Sequence, residues 1–166
     1  MEVTMNTENI SMNPFKSFLG DWALVSAGNE EKSNTMTIGW GALGGMWGVD
    51  AAFVVIRYSR YTKEFVDAND YFSVAFFDGE CKDALMTCGR TSGRDTDKWA
   101  ASGLTPAYAN GVPYPAEAKR VFICRKMAAM DMPRESFIDD TIYDKWYSDD
   151  DMHVMYIGEV VDVIEK

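Results

Sequence analysis

Two runs of this chain, residues 51–57 (AAFVVIR) and 71–77 (YFSVAFF), are dense in β-branched and aromatic side chains and show no helical period. Runs this short are the length of strands, and this apolar they belong inside a sheet covered on both faces. They constrain the fold more than any other feature, because further strand-like runs surround them. Residues 22–28 (WALVSAG) are short and apolar and lead into polar residues 29–32, which suits a strand and a turn. Residues 33–40 (SNTMTIGW) alternate Thr35, Thr37 and Gly39 with Met36, Ile38 and Trp40, so one row can face a core and the other a ligand or solvent. Residues 120–132 read as a longer mixed strand with room for a turn. Residues 153–164 (HVMYIGEVVDVI) read as a last strand, with Gly158 as an expected bulge.

Short helices fall between the strands. Residues 60–68 place Tyr61, Phe65 and Ala68 on one face, and residues 80–88 do the same with Cys81, Leu85 and Cys88. Residues 95–102 end at Gly103, a C′ glycine, with Asp95 as the expected N-cap. Pro106, Pro113 and Pro115 mark residues 105–115 as an irregular surface connection. The expected class is mainly β with peripheral helices, an antiparallel Greek-key-like barrel. A doubly wound parallel sheet is the weaker alternative, since no G-x-G-x-x-G or Walker sequence follows the first strand.

At 166 residues the length suits one domain, expected to run over 1–166. Sixteen Lys and Arg stand against 26 Asp and Glu, a formal charge of −10. That balance disfavours nucleic acid and anionic membranes, which are gripped by many cations. Three cysteines without a C-x-x-C pair point to neither a disulfide framework nor a zinc knuckle, and a single histidine excludes metal sites built on several imidazoles. No metal is expected. Residues 1–10 carry no basic region and no apolar run, so cytoplasmic residence is expected.

Three segments could carry chemistry. Residues 57–62 (RYSRYT) put two arginines and several hydroxyls where a buried strand gives way to a helix, a fit for phosphate. The plainer alternative is a Ser59 cap with solvated arginines. Residues 88–98 (CGRTSGRDTDK) combine three cations with two glycines just before a helix, or form an ordinary loop. In so acidic a chain, two cationic turns suggest a small phosphorylated anion. Residues 33–49 carry five glycines between Gly39 and Gly48, interleaved with Trp40, Met46 and Trp47, either a slot for a planar ring or a hairpin whose tryptophans plug the core. His153 reads as a base, a hydride-site partner, a dimer contact or a structural histidine. The acidic stretch 139–151 reads as a solvated, mobile face.

Taken in series, residues 33–40, 57–62, 92–98 (SGRDTDK), 102–106 (SGLTP) and 153–160 (HVMYIGEV) resemble the flavin reductase-like family, whose fold is the FMN-binding split barrel. The resemblance spans about residues 12–164 and is nearest to flavoredoxin-type members and NAD(P)H:flavin oxidoreductases. It implies a homodimer with one FMN per subunit near the interface, NAD(P)H as co-substrate, and a free flavin, ferric chelate or redox protein as acceptor. Carried over, Asn34, Thr35, Met36 and Thr37 would line the flavin ring with Trp47 packed near it. Arg57, Ser59, Arg60, Tyr61 and Thr62 would hold the phosphate. Ser92, Gly93 and Lys98 would close over it, with Cys88 and Gly89 nearby. His153 would lie on the nicotinamide side or be structural. A flavin would supply the redox chemistry and explain the shortage of acid–base pairs. Two alternatives share the fold: an FMN electron carrier that does not meet NAD(P)H, and a non-redox flavin-binding module.

Overall fold

The structure, a computed structural model, describes residues 7–166. Residues 1–6, part of the stretch read for a leader, lie outside the described residues. The strands are β1 (Ala23–Gly28), β2 (Ser33–Ile38), β3 (Gly41–Met46), β4 (Val49–Arg57), β5 (Tyr71–Phe76), β6 (Pro106–Ala109), β7 (Val112–Pro115), β8 (Arg120–Asp131) and β9 (His153–Glu165). The α-helices are α1 (Tyr61–Ala68), α2 (Lys82–Arg90), α3 (Lys98–Ser102) and α4 (Asp140–Trp146). No helix among the described residues is long and apolar enough to cross a membrane.

Seven strands form one sheet in the order β2-β1-β5-β8-β9-β4-β3, with every neighbouring pair antiparallel. Its edges, β2 and β3, are separated in sequence only by Gly39 and Trp40. A flat sheet would hold those edges roughly 29 Å apart at about 4.8 Å per strand. A two-residue link reaches only about 11 Å. The sheet must therefore roll into a barrel, with its seam splaying from the Gly39–Trp40 corner. The expected antiparallel barrel is present, and this corner positions the site.

Period two puts side chains on both faces of the rolled sheet. Val25, Met36, Val54, Phe72, Phe122 and Tyr156 fill the interior. Leu24, Ala75 and Val121 point outward and are covered by Leu85 of α2, Trp99 of α3 and Val112 of β7. Strand β1 is consequently buried along its whole length.

Several expectations need correction. Residues 105–115 are not irregular: β6 and β7 form a hairpin around Asn110 and Gly111, whose φ angles of 51° and 81° suit a tight hairpin turn. The N-cap of α3 is Asp97, which accepts from the Trp99 and Ala100 N–H groups, and not Asp95. Gly158 is not a bulge. The register slips leave Met127 of β8 and Val161 of β9 unpaired, whereas Gly158 pairs with Lys126 and Ala52. It is small because Phe72 and Cys124 press on it. A Cβ there would lie 2.8 Å from the Cys124 Cβ and 2.9 Å from the Phe72 ring. The acidic stretch is largely exposed, as expected, but it also folds into α4 and a strap, residues 147–152, which buries Tyr147 and reaches Arg57 and Ser59 through Asp151.

Candidate functional site

A groove of about 290 Å³ opens at the barrel seam. Met36, Thr37 and Trp40 form one wall, and Arg57, Arg60 and His153 line the rest with Gly89 and Trp146. Strand alternation explains the wall. Met36 and Ile38 belong to the barrel interior. Thr37 faces α2, where its hydroxyl donates to the Leu85 carbonyl at 2.5 Å. Thr35 lies on that same face but is fully buried, donating to the Val25 carbonyl at 3.1 Å beside Ser26 Oγ at 2.9 Å. Its side chain is therefore already used inside the protein. Asn34 is also buried and donates to Thr62 Oγ1 at 3.0 Å. It packs against Gly93, where any Cβ would fall 2.2 Å from the Asn34 Oδ1.

The two cationic turns meet at the C-terminal end of α2. Arg60 donates to the Cys88 and Gly89 carbonyls, both at 3.3 Å, and Lys98 donates to the Cys88 carbonyl at 2.8 Å. Arg94 ties the turns together by donating to the Ser59 carbonyl at 3.0 Å and stacks over Tyr61. Helix C-terminal carbonyls suit cations. Yet Lys98 is only 3% exposed, and among the described residues neither it nor Arg60 enters an ion pair. Burial, then the charge of Arg60, pushes the Lys98 ammonium down to about 8, and burial lowers Arg60 as well. Two neighbouring cations with no carboxylate in ion-pair contact form a receptor for an anion. Ser92 shapes the turn by accepting from the Arg94 N–H through its hydroxyl and from the Asp95 and Thr96 N–H groups through its carbonyl.

Arg57 and Ser59 are engaged differently. Arg57 donates to the Asp151 carbonyl at 2.6 Å and to the Trp146 carbonyl at 2.9 Å, and stacks over Tyr147. Ser59 does not cap α1; its hydroxyl donates to the Asp151 carboxylate at 2.5 Å. Trp47 lies outside this groove, 58% exposed at the β3–β4 turn, and lines a separate depression with Glu159 and Val160. Trp40 takes its place at the groove, packed edge-on against Trp146 at 4.9 Å. Sequence reasoning missed Trp146 and Tyr147. The available signal was an aromatic pair inside an acidic run, which a merely solvated face does not need.

His153 is 6% exposed, with Nδ1 2.7 Å from the Tyr147 hydroxyl and its ring 5.3 Å from that of Trp40. Burial, then the charge of Arg57, pushes it down to about 4, so it is neutral at neutral pH. An unfolded histidine titrates near 6.5. The stability gained from keeping it neutral is complete above that value and is lost as pH falls toward about 4. Because it is the sole histidine, its ring NMR signals are unique. Their titration midpoint is expected near 4; a midpoint near the free value would contradict this burial.

A family model described as flavin reductase like domain matches residues 15–166. No curated protein matches. The chain is similar to the flavoredoxin of Methanosarcina acetivorans, with 21% identity, a TM-score of 0.70, and 95% of this chain and 75% of that one covered. It is similar to an FMN-binding protein from Thermus thermophilus with bound 1-cyclohex-2-enone, with 23% identity, a TM-score of 0.68, and 94% and 78% covered. It is also similar to a Streptomyces globisporus NADH:FAD oxidoreductase, with 11% identity, a TM-score of 0.66, and 88% and 76% covered. At these identities the likeness carries the fold.

Proposed function

The chain belongs to the flavin reductase-like domain family, and from that premise we propose that it is an FMN-dependent oxidoreductase using NAD(P)H to reduce a flavin, ferric or protein acceptor. The observation that carries this reading is the meeting of Arg60 and Lys98 at the Cys88 carbonyl, beside a groove walled by Met36, Thr37 and Trp40. The donor set fits a phosphate monoester. Two cations with no ion-pair partner can take up an anion, and an open seam gives a planar ring somewhere to lie.

In this reading Arg60 and Lys98 hold the phosphate, with Gly89, Ser92 and Gly93 shaping the turn. Asn34 and Thr62 act as a buried brace beneath Gly93. Met36 and Thr37 supply the ring wall with their main chain, Thr35 contributing only its backbone. Bound there, FMN would supply the hydride and electron-transfer chemistry that these side chains lack. His153, neutral and oriented by Tyr147, offers a hydrogen-bonding ring at the groove without adding charge. The packed rings of Trp40 and Trp146 cover one side of the groove with apolar surface. Residues 1–166 act as one unit in a cytoplasmic setting. A homodimer is supported by the open edge of β3 and by exposed Trp47, Phe15 and Leu19.

The test is rapid mixing of the FMN-loaded protein with NADH or NADPH. Loss of the flavin's visible band is the expected result. A protein that holds FMN but is reduced only by a chemical reductant is an electron carrier. One that ignores FMN altogether contradicts the reading.

A further inference from the structure

The turn expected to cradle a phosphate already holds an anion. Asp151, in the strap between α4 and β9, places its carboxylate on the Ser59 N–H at 3.1 Å and on the Ser59 hydroxyl at 2.5 Å. Its own carbonyl accepts from Arg57 at 2.6 Å, while Asp149 lies 3.9 Å from that guanidinium. Ser59 lies two residues before α1, whose N-cap position, Arg60, makes no side-chain capping bond. A main-chain N–H and a hydroxyl just before a helix, where the charge of Asp151 also acts on Arg60, are what a phosphate oxygen would accept from at such a place. The carboxylate thus sits as a stand-in for the ligand's anionic end. The strap it anchors carries Tyr147, the partner of His153, and follows directly on Trp146, the partner of Trp40.

We propose that Asp151 is an internal anion that occupies part of the phosphate cradle in the ligand-free chain, and that an incoming phosphate monoester displaces it and loosens the strap. The proposal rests on the flavin reading above. It makes Asp151 a specificity residue. A phosphorylated ligand can replace what the carboxylate gives to Ser59, whereas an unphosphorylated one leaves the strap fastened. It also links occupancy of the phosphate end to access at the Trp40–His153 end, since one segment contacts both.

The experiment compares wild type with Asp151→Asn in fluorescence titrations with FMN and with riboflavin. Thermal melting confirms that both are folded. The variant keeps an acceptor for Ser59 but loses the charge. It is expected to bind FMN about tenfold more tightly, with riboflavin within about twofold of wild type. Hydrogen exchange of wild-type residues 146–152 is expected to quicken on adding FMN and to stay unchanged with riboflavin. FMN affinity that is unchanged or weaker in the variant, or a strap that becomes more protected with FMN, overturns the proposal. If neither form binds a flavin, the flavin reading fails and inorganic phosphate becomes the probe. Tighter phosphate binding by the variant then upholds the displaced carboxylate, and equal binding by the two forms overturns it too.

Discussion

Lys98→Met is expected to weaken FMN binding by about ten- to a hundredfold while leaving riboflavin binding nearly unchanged. The variant keeps an unbranched apolar stem in the same buried space and removes only the ammonium. A charge-assisted hydrogen bond to phosphate is worth about 1.5–3 kcal/mol, and about 1.4 kcal/mol is tenfold in affinity. The Cys88 carbonyl keeps Arg60 as a donor, so no buried acceptor is orphaned. The folded, ligand-free variant is expected to melt higher than wild type. In wild type the Lys98 ammonium titrates at about 8, below its ordinary value of 10.5. Keeping it charged in the fold opposes folding below about 8, and that cost is relieved as pH rises from about 8 toward 10.5. Removing it is therefore worth on the order of 1–3 kcal/mol at neutral pH. Higher stability with poorer ligand binding is the signature of a group kept for function. The same titration predicts that wild-type FMN affinity falls as pH rises through about 8 and that the variant lacks this limb. Calorimetric titration across that range reads both effects. A variant that binds FMN like wild type removes Lys98 from the cradle.

Gly158→Val is expected to damage the fold severely. Strand β9 is flanked by β4 and β8, and Gly158 faces Phe72 and Cys124, both wholly buried. Even a Cβ would stand 2.8 Å from one and 2.9 Å from the other, so the valine methyls must displace a packed ring. Overpacking of this kind costs about 3 kcal/mol, or on the order of 6–12 °C in Tm for a chain of this size. Gly158→Ala should fall between, and denaturation followed by circular dichroism ranks the three. Equal stability would mean that the β8–β9 register shifts to make room.

Much of the barrel was legible because its strands are apolar enough to declare burial on both faces. Residues 51–57 and 71–77 became β4 and β5 almost residue for residue. The Asn110–Gly111 hairpin was also written in the chain, but three neighbouring prolines hid it. Those prolines sit in a two-stranded ribbon, where unpaired edges tolerate a missing N–H. Closure of the sheet could not be read locally, since it follows from the Gly39–Trp40 link only once the strand order is known. The cationic turns were visible as Arg60 and Lys98, because cations in an acidic chain stand out against their background. Their meeting at the end of α2 needed the fold. Thr35 shows the limit of motif reasoning: alternation names its row, but only the ladder with β1 shows that Ser26 and the Val25 carbonyl already engage its hydroxyl. Charge patterning read residues 139–151 as solvent-facing, which holds for most of their side chains, but it could not show that Trp146, Tyr147 and Asp151 anchor the segment to Trp40, His153 and Ser59.

The most direct test of the central claim is equilibrium titration of the wild-type protein with FMN and with riboflavin, identical rings that differ by one phosphate. If Arg60 and Lys98 form an anion receptor at the barrel seam, FMN binds on the order of a hundredfold more tightly, and added salt narrows the gap. Equal affinities for the two flavins, or a preference for riboflavin, would contradict the account.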